Sequence, residues 1–305
     1  MPRKIFVVGH KNPDTDSIVS AIAYARLLEL QGEKNVIAAR QGEVWAETRY
    51  VVERFGLPLP DLIDTVRPTA RDVMTTDPLA GSPEESAYKI GRRLRKRGIR
   101  AMPLVDDQGN LAGLISVEDF AYIHLAGLER DAMDEIHLEV HNVVEVLKGQ
   151  LLVEAKGRRL RDKVMVAAMD LETVRSRVEP DIMMVMGDRD DVQTMVIEEG
   201  VCALVVTGGL PISDEVIALA RDKNVTLISS PHHTFTTVRL LNLSIPVSHV
   251  MRRDVLVASP DDPLDDLRSK LTRQRTIPIV DPGGSLAGVV SRSDLIKPVR
   301  HGVYL

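Results

Sequence analysis

The sequence predicts an α/β protein of several domains, and three observations carry that prediction. Short apolar runs alternate with stretches of helical periodicity along much of the chain. A unit of about 55 residues occurs twice. Hydrophobic residues make up 44% and charged residues 27% of the 305, enough apolar material for more than one core.

Ile5 to Val8 is an apolar run suited to a buried parallel strand. Asp16 or Ser17 is expected to cap a helix running to about Leu30, with Ile18, Ile22 and Ala25 at helical spacing and Gly32 as its stop. Asn35 to Ala39 reads as a second strand and Val44 to Phe55 as a second helix, broken by Gly56-Leu-Pro-Leu-Pro60. Two strands and two helices make half of a doubly wound domain, residues 1–67.

The repeat follows. Asp72-Val-Met74 recurs as His249-Val-Met251, and Ser82-Pro83 recurs at the same offset as Ser259-Pro260. Met102-Pro-Leu-Val-Asp106 recurs as Ile277-Pro-Ile-Val-Asp281, and Leu111-Ala-Gly-Leu-Ile-Ser116 as Leu286-Ala-Gly-Val-Val-Ser291. Each copy reads as β-α-β-β-α, over residues 68–128 and 245–299, with hairpin turns at Asp106-Asp-Gln-Gly-Asn110 and Asp281-Pro-Gly-Gly284. Residues 129–244 read as a further α/β region. Its strands are Ile182 to Met186, Ala203 to Thr207 and Thr226 to Ser229, and its helices Asp191 to Glu199 and Ser213 to Asp222.

Composition closes off several function classes. Only 3% of residues are aromatic, too few for a platform of stacked bases, and the net charge of −5 opposes a general grip on nucleic acid or an anionic membrane. No run approaches the ~20 apolar residues of a membrane span. The single cysteine, Cys202, rules out an internal disulfide framework and a cysteine-rich zinc site, and reads as a small buried residue. The basic run Gly91 to Arg97 reads as the solvated face of a helix whose Ile90 and Leu94 point inward. His137 and His141, four apart, are expected on one helix face, at the surface or in a dimer contact. The expectation is a cytoplasmic protein that binds neither nucleic acid nor membrane.

The sharpest local motif is Gly9-His-Lys-Asn-Pro-Asp-Thr-Asp-Ser17, which starts where a strand ends and finishes where a helix begins. His10 offers an imidazole nitrogen, and Asp14 and Asp16 offer carboxylates. Pro13 stiffens the turn between them. One nitrogen and several oxygens, with no thiolate, suit Mn²⁺, Mg²⁺ or Co²⁺. Such an ion lowers the pKa of bound water, and a pair of ions clamps a phosphoryl group.

This motif resembles the first signature of the DHH phosphoesterase superfamily, and its Asp-Thr-Asp-Ser ending resembles the family II, manganese-dependent inorganic pyrophosphatases. The repeated units resemble CBS domains. The middle region resembles a DRTGG domain through Gly187-Asp-Arg189, Val205-Val-Thr-Gly-Gly209 and Ser230-Pro-His-His-Thr-Phe-Thr-Thr237. The order resembles the nucleotide-regulated branch of those pyrophosphatases over essentially the whole chain.

The resemblance implies His10, Asp14 and Asp16 as metal ligands for Mn²⁺ (or Co²⁺ or Mg²⁺), and pyrophosphate as substrate. It implies that the two CBS units form a Bateman-type pair whose clefts bind an adenine nucleotide: AMP, ADP, ATP or a diadenosine polyphosphate. Ser116 and Asp119, with Ser291 and Asp294, match the family's Ser/Thr-x-x-Asp element. There the aspartate accepts from ribose hydroxyls and the hydroxyl residue reaches phosphate. Ala101, Met102, Thr276 and Ile277 are candidates for the adenine edge. Arg100 and Arg275 occupy matching positions, and guanidinium suits phosphate. Each Ser–Asp pair is also expected to cap the final helix of its unit. A homodimer through the CBS and DRTGG regions is implied.

Several family features have no counterpart here. The later ligand aspartate, the DHH motif and the lysine- and arginine-bearing C-terminal domain are not found, and residues 300–305 match only the start of the strand returning to the DHH domain. His232-His233 is not the DHH pair. Trp45 stands where the family usually carries Asn, and reads as core or interface filler. No catalytic set is complete in these residues, so the polypeptide alone is expected to be inactive. The alternative is a free-standing adenine-nucleotide sensor that acts on a partner. A DHH-type nuclease or nucleotidyltransferase is disfavoured by the acidic charge and by Asp16-Ser17.

Overall fold

The first apolar runs pair as their pattern requires: β1 (Ile5–Val8) lies parallel to β2 (Val36–Arg40), joined by α1 (Thr15–Leu30). α2 (Ala46–Arg54) then leads to β3 (Asp61–Leu62), a short third strand parallel to β2 that the sequence pattern does not reveal. The computed structural model describes residues 5–63, 67–126 and 136–296. The chain divides into two units, Met1–Pro78 with Leu256–Leu305, and Leu79–Val255. The stretch 300–305 lies outside the described residues.

In chain order the first repeat supplies α3 (Ala70–Val73), α4 (Ala87–Arg97), β4 (Ala101–Val105), β5 (Leu111–Ser116) and α5 (Val117–Ala126). The middle region supplies β6 (His137–Leu138), α6 (Val140–Leu147), β7 (Gln150–Val153), β8 (Leu160–Arg161), β9 (Val164–Val166) and α7 (Leu171–Arg175). It continues with β10 (Met183–Met186), α8 (Asp190–Glu198), β11 (Ala203–Val206), α9 (Asp214–Asp222), β12 (Thr226–Ser229) and α10 (Thr234–Leu241). The second repeat supplies α11 (Leu264–Arg273), β13 (Thr276–Val280) and β14 (Leu286–Ser291), then a 3₁₀ turn at Asp294–Ile296.

The middle sheet runs β7-β12-β11-β10-β9, with the last four strands parallel and β7 antiparallel at one edge. Its inner strands β10, β11 and β12 are buried on both faces, which is why they read as unbroken apolar runs. Met184, Met186, Leu204 and Val206 pack with Val192, Val196, Val216 and Ala220 of α8 and α9. Met183, Val185, Ala203 and Val205 face the opposite way, into a core shared with α6, α10 and the first repeat, including Ile90, Leu94, Met102 and Ile115.

The β4–β5 and β13–β14 hairpins have matching registers, each with a shift at the same place. The segments that lead into the repeats are exchanged. Thr75, from the first repeat, bridges Val289 of β14, whereas Arg252, from the second, bridges Leu114 of β5. In place of a first strand, each copy therefore has only isolated bridges among its described residues. The repeated Ala-Gly sequence has its reason here. A Cβ on Gly113 would lie 2.7 Å from the Arg252 carbonyl oxygen, and one on Gly288 would lie 2.7 Å from that of Thr75. Gly113→Val is expected to lower the stability of the Leu79–Val255 unit by about 1–3 kcal/mol, read by denaturant melts, because the exchanged segment must lift off the hairpin.

Candidate functional site

The turn after β1 places His10, Asp14 and Asp16 at the amino end of α1. Asp14, rather than Asp16 or Ser17, caps the helix: its Oδ1 accepts from the Ser17 backbone N–H at 2.9 Å. An N-cap needs an extended backbone, and Asp14 has it, with φ −86° and ψ −177°. The Ser17 N–H, and then the neighbouring His10, hold the Asp14 carboxyl below its ordinary pKa. The capping contribution is therefore fully present at neutral pH and is lost as pH falls through that lowered value. His10 Nε2 lies 3.3 Å from Asp14 Oδ1, with both side chains more than half exposed.

Asp16 points elsewhere, its Oδ1 accepting from the Ser20 hydroxyl at 3.4 Å. In kind, one imidazole and two carboxylates suit Mn²⁺ or Co²⁺. In position they stop at a pair, and among the described residues no three His, Cys, Asp or Glu side chains converge on a metal-sized space. Trp45 is 70% exposed at the N-cap of α2, so it is not core filler among the described residues.

The two Ser-x-x-Asp elements share a construction. Asp119 Oδ2 accepts from the Ser116 N–H and from its hydroxyl, both at 2.7 Å. Asp294 Oδ2 accepts from the Ser291 N–H at 2.8 Å and from its hydroxyl at 2.6 Å. Both aspartates are buried, and both pairs bind a helical turn back onto the end of a strand, so the expected capping role is present. The flanking candidates also match. Ala101 and Met102 open β4, with Ala101 opposite Ser116, while Thr276 and Ile277 open β13, with Thr276 opposite Ser291. Met102 and Ile277 are buried, so only their backbones are candidates to meet a ligand. Arg100 lies at the surface, and its carbonyl accepts from the Val117 N–H at 2.9 Å. Arg275 precedes β13 at the matching place.

The exchange adds a group that the repeat did not suggest. Arg252 donates from Nε to Asp119 Oδ1 at 2.9 Å, and its Nη2 stands 3.7 Å from Glu118 Oε2. Its signal in the sequence is only its position in the leading segment of the other copy.

In the middle region, the Thr207-Gly-Gly209 turn follows β11 beside the loop after β12. The Gly208 N–H donates to the His232 carbonyl and the Gly209 N–H to that of Ser230, both at 2.8 Å. Thr207 and Thr234 hydroxyls meet at 2.9 Å, and Ser230 and Thr237 hydroxyls at 3.0 Å. His233 is the N-cap residue of α10, a structural position. His137 and His141 do not share a helix: His137 is on β6 and His141 on α6, and both line a cavity of about 520 Å³ with Glu154 and Arg159. Cys202 is buried, and burial pushes its thiol pKa up.

A DRTGG domain model matches residues 142–244, and a CBS domain model matches residues 70–124 and 247–301. The cobalt-dependent inorganic pyrophosphatase of Clostridium perfringens is 31% identical over 297 residues, covering 96% of this chain and 54% of that protein. A probable manganese-dependent inorganic pyrophosphatase of Thermotoga maritima is 29% identical, over 99% of this chain and 56% of that protein. The chain carries a DRTGG domain between two CBS domains, and over nearly its whole length it is similar to inorganic pyrophosphatases. It spans about half the length of these curated relatives. Among solved structures, it is similar to the CBS and DRTGG domains of the regulatory region of the C. perfringens pyrophosphatase, complexed with its activator diadenosine tetraphosphate. That match has a TM-score of 0.67 and 28% identity, covering 73% of this chain and 99% of the other. The two Ser–Asp elements thus belong to CBS domains, and the Thr207-Gly-Gly209 turn to the DRTGG domain that separates them.

Proposed function

We propose that residues 1–305 supply the adenine-nucleotide sensor and the opening metal motif of a nucleotide-regulated, Mn²⁺- or Co²⁺-dependent inorganic pyrophosphatase. The observation that carries this is the CBS–DRTGG–CBS order, matched along nearly the whole chain by pyrophosphatases and, in structure, by a regulatory region bound to a diadenosine activator. At the sensor, Asp119 and Asp294 receive ribose hydroxyls. Ser116 and Ser291 stand beside the phosphate, and Arg100 and Arg275 attract it. The backbones of Ala101, Met102, Thr276 and Ile277 meet the adenine edge. Nucleotide that binds one packing of the sensor better than another shifts the balance between them, which is how a separate hydrolytic site is controlled. The protein works in the cytoplasm as a homodimer; among the described residues no helix is long and apolar enough to cross a membrane.

The opening metal motif supports a second statement about this polypeptide. His10, Asp14 and Asp16 supply three ligands, too few to complete a two-metal clamp on a phosphoryl group, so these residues alone act as a sensor without catalysis. Purified 1–305 polypeptide, given pyrophosphate with Mn²⁺ or Co²⁺, is expected to release no phosphate above the uncatalysed background. The same preparation is expected to bind AMP in a calorimetric titration. Sustained turnover overturns the second statement, and absence of AMP binding overturns the sensor.

A further inference from the structure

The cavity at the amino end of α6 serves neither the Ser-x-x-Asp elements nor the metal motif. At about 520 Å³ it has the size of a small-molecule site, and it is formed by β6, the first turn of α6 and residues 154–160, which lead from β7 into β8. Leu138, Ala155 and Leu160 are buried and give it an apolar floor. Two arginines and two glutamates line it, Arg158 and Arg159 with Glu139 and Glu154, together with His137 and His141. Arg158 is committed, its Nη2 donating to the Pro180 and Gly200 carbonyls and so fixing its own segment. Arg159, Glu139 and Glu154 form no ion pair among the described residues, although opposite charges share one cavity. Glu139 is the N-cap residue of α6 and makes no capping hydrogen bond, so the first N–H groups of that helix lack a side-chain acceptor. His137 Nδ1 is shut off from water and has no hydrogen-bond partner. An unpaired buried nitrogen costs about 1–3 kcal/mol, and it points to a group that joins it when the cavity is filled.

These observations narrow the ligand. A bare divalent cation lacks a ligand set, because among the described residues no three His, Cys, Asp or Glu side chains converge. A bare anion meets two glutamates, and a bare organic cation meets two arginines. A molecule that carries both charges finds a partner for each. We propose that this cavity binds a free α-amino acid. Its carboxylate is taken by Arg159 and by the N–H groups at the start of α6, and its ammonium by the carboxylates of Glu139 and Glu154. An α-amino acid carries its two charges one carbon apart, and the cavity sets an acid beside N–H donors at Glu139, Val140 and His141. The ligand side chain lies over Leu138, Ala155 and Leu160, and a half-turn of the His137 ring brings its unpaired nitrogen round to the ligand.

The test adds the standard amino acids singly, at about 10 mM, to the purified 1–305 polypeptide and follows its melting temperature, then titrates any that raise it by calorimetry. At least one amino acid is expected to raise the melting temperature and to bind with a Kd at or below about 1 mM. Its decarboxylated amine and its N-acetyl form, each missing one charge, are expected to bind at least about tenfold more weakly, the worth of one charge-assisted hydrogen bond. Arg159→Gln and Glu154→Gln replace exposed side chains, so each is expected to melt like the wild type without ligand and to bind the amino acid about tenfold more weakly. Should a glutamine variant melt early, the comparison of amino acid, amine and N-acetyl form on the wild type decides alone. If no amino acid binds, the proposal fails. It fails as well if the bound amino acid is indifferent to both substitutions, since it then sits elsewhere. An amine or N-acetyl form that binds as tightly as the amino acid also overturns it, because the cavity then reads a single charge. None of these outcomes touches the nucleotide sensor, whose residues lie outside the cavity.

Discussion

Asp294→Asn is expected to raise the Kd for AMP at the second CBS domain at least tenfold while leaving the fold intact. The two consequences separate because the aspartate has two tasks. One oxygen, Oδ2, holds the turn by accepting from the Ser291 N–H and hydroxyl at 2.8 and 2.6 Å. An asparagine retains one carbonyl oxygen for that task, so the melting temperature should move little. The amide nitrogen replaces the other acceptor with a donor, and it meets ribose hydroxyls that also arrive as donors. The negative charge that made those bonds charge-assisted is lost as well. Asp294→Ala is a poorer probe, since it leaves the part-buried Ser291 N–H without its acceptor and mixes instability with lost affinity. Titration of AMP together with a thermal melt decides the matter. An unchanged Kd with an unchanged melt removes Asp294 from the nucleotide site and leaves the Ser–Asp pair as a helix cap only.

The hairpins that carry these aspartates are visible in the sequence because their information is local. Asp106 and Asp281 each accept backbone N–H groups of their own turn, and the alternating residues on either side set the register. The same holds for β10, β11 and β12, whose apolar runs need no partner to be recognised. What the pattern hides is long-range. Nothing local marks Met74 as a neighbour of Gly288 or Met251 as a neighbour of Gly113; the repeat, read along the chain, places each leading segment with its own copy. Arg252 follows from that exchange and is invisible without it. Asp14 shows a finer limit. All of Asp14, Asp16 and Ser17 are good capping residues, and only the backbone, extended at Asp14 and helical from Thr15, decides among them. The metal motif is legible as chemistry, since the residue types are in the sequence. Its geometry is not, because the direction of Asp16 is set by Ser20 one turn further along the helix.

Met184→Asp is expected to prevent the Leu79–Val255 unit from folding. Met184 is fully buried in β10, between β9 and β11, and packs with Leu204, Val206 and the residues of α8 and α9. A carboxylate there meets no cation and no unused donor in that apolar cluster, and burying it without a partner costs several kcal/mol. The lost methionine packing adds about 2–5 kcal/mol more. A domain is stable by only about 5–15 kcal/mol, so the sum reaches or exceeds what holds the unit together. Protonating the new aspartate lowers the charge cost but leaves a polar hydroxyl in the same place. The neighbouring face matters too: Met183 and Val185 belong to the core shared with the first CBS domain, so displacement of β10 disturbs Met102 and Ile115 across the strand. The hairpin that presents Ser116 and Asp119 therefore loses its backing together with the DRTGG sheet. Met184→Leu, similar in volume, should cost less than about 1.5 kcal/mol and keep AMP binding. Far-ultraviolet dichroism and limited trypsin digestion of the two variants separate these outcomes. A Met184→Asp protein that melts cooperatively near the wild-type temperature contradicts the assignment of β10 as the buried centre of that sheet.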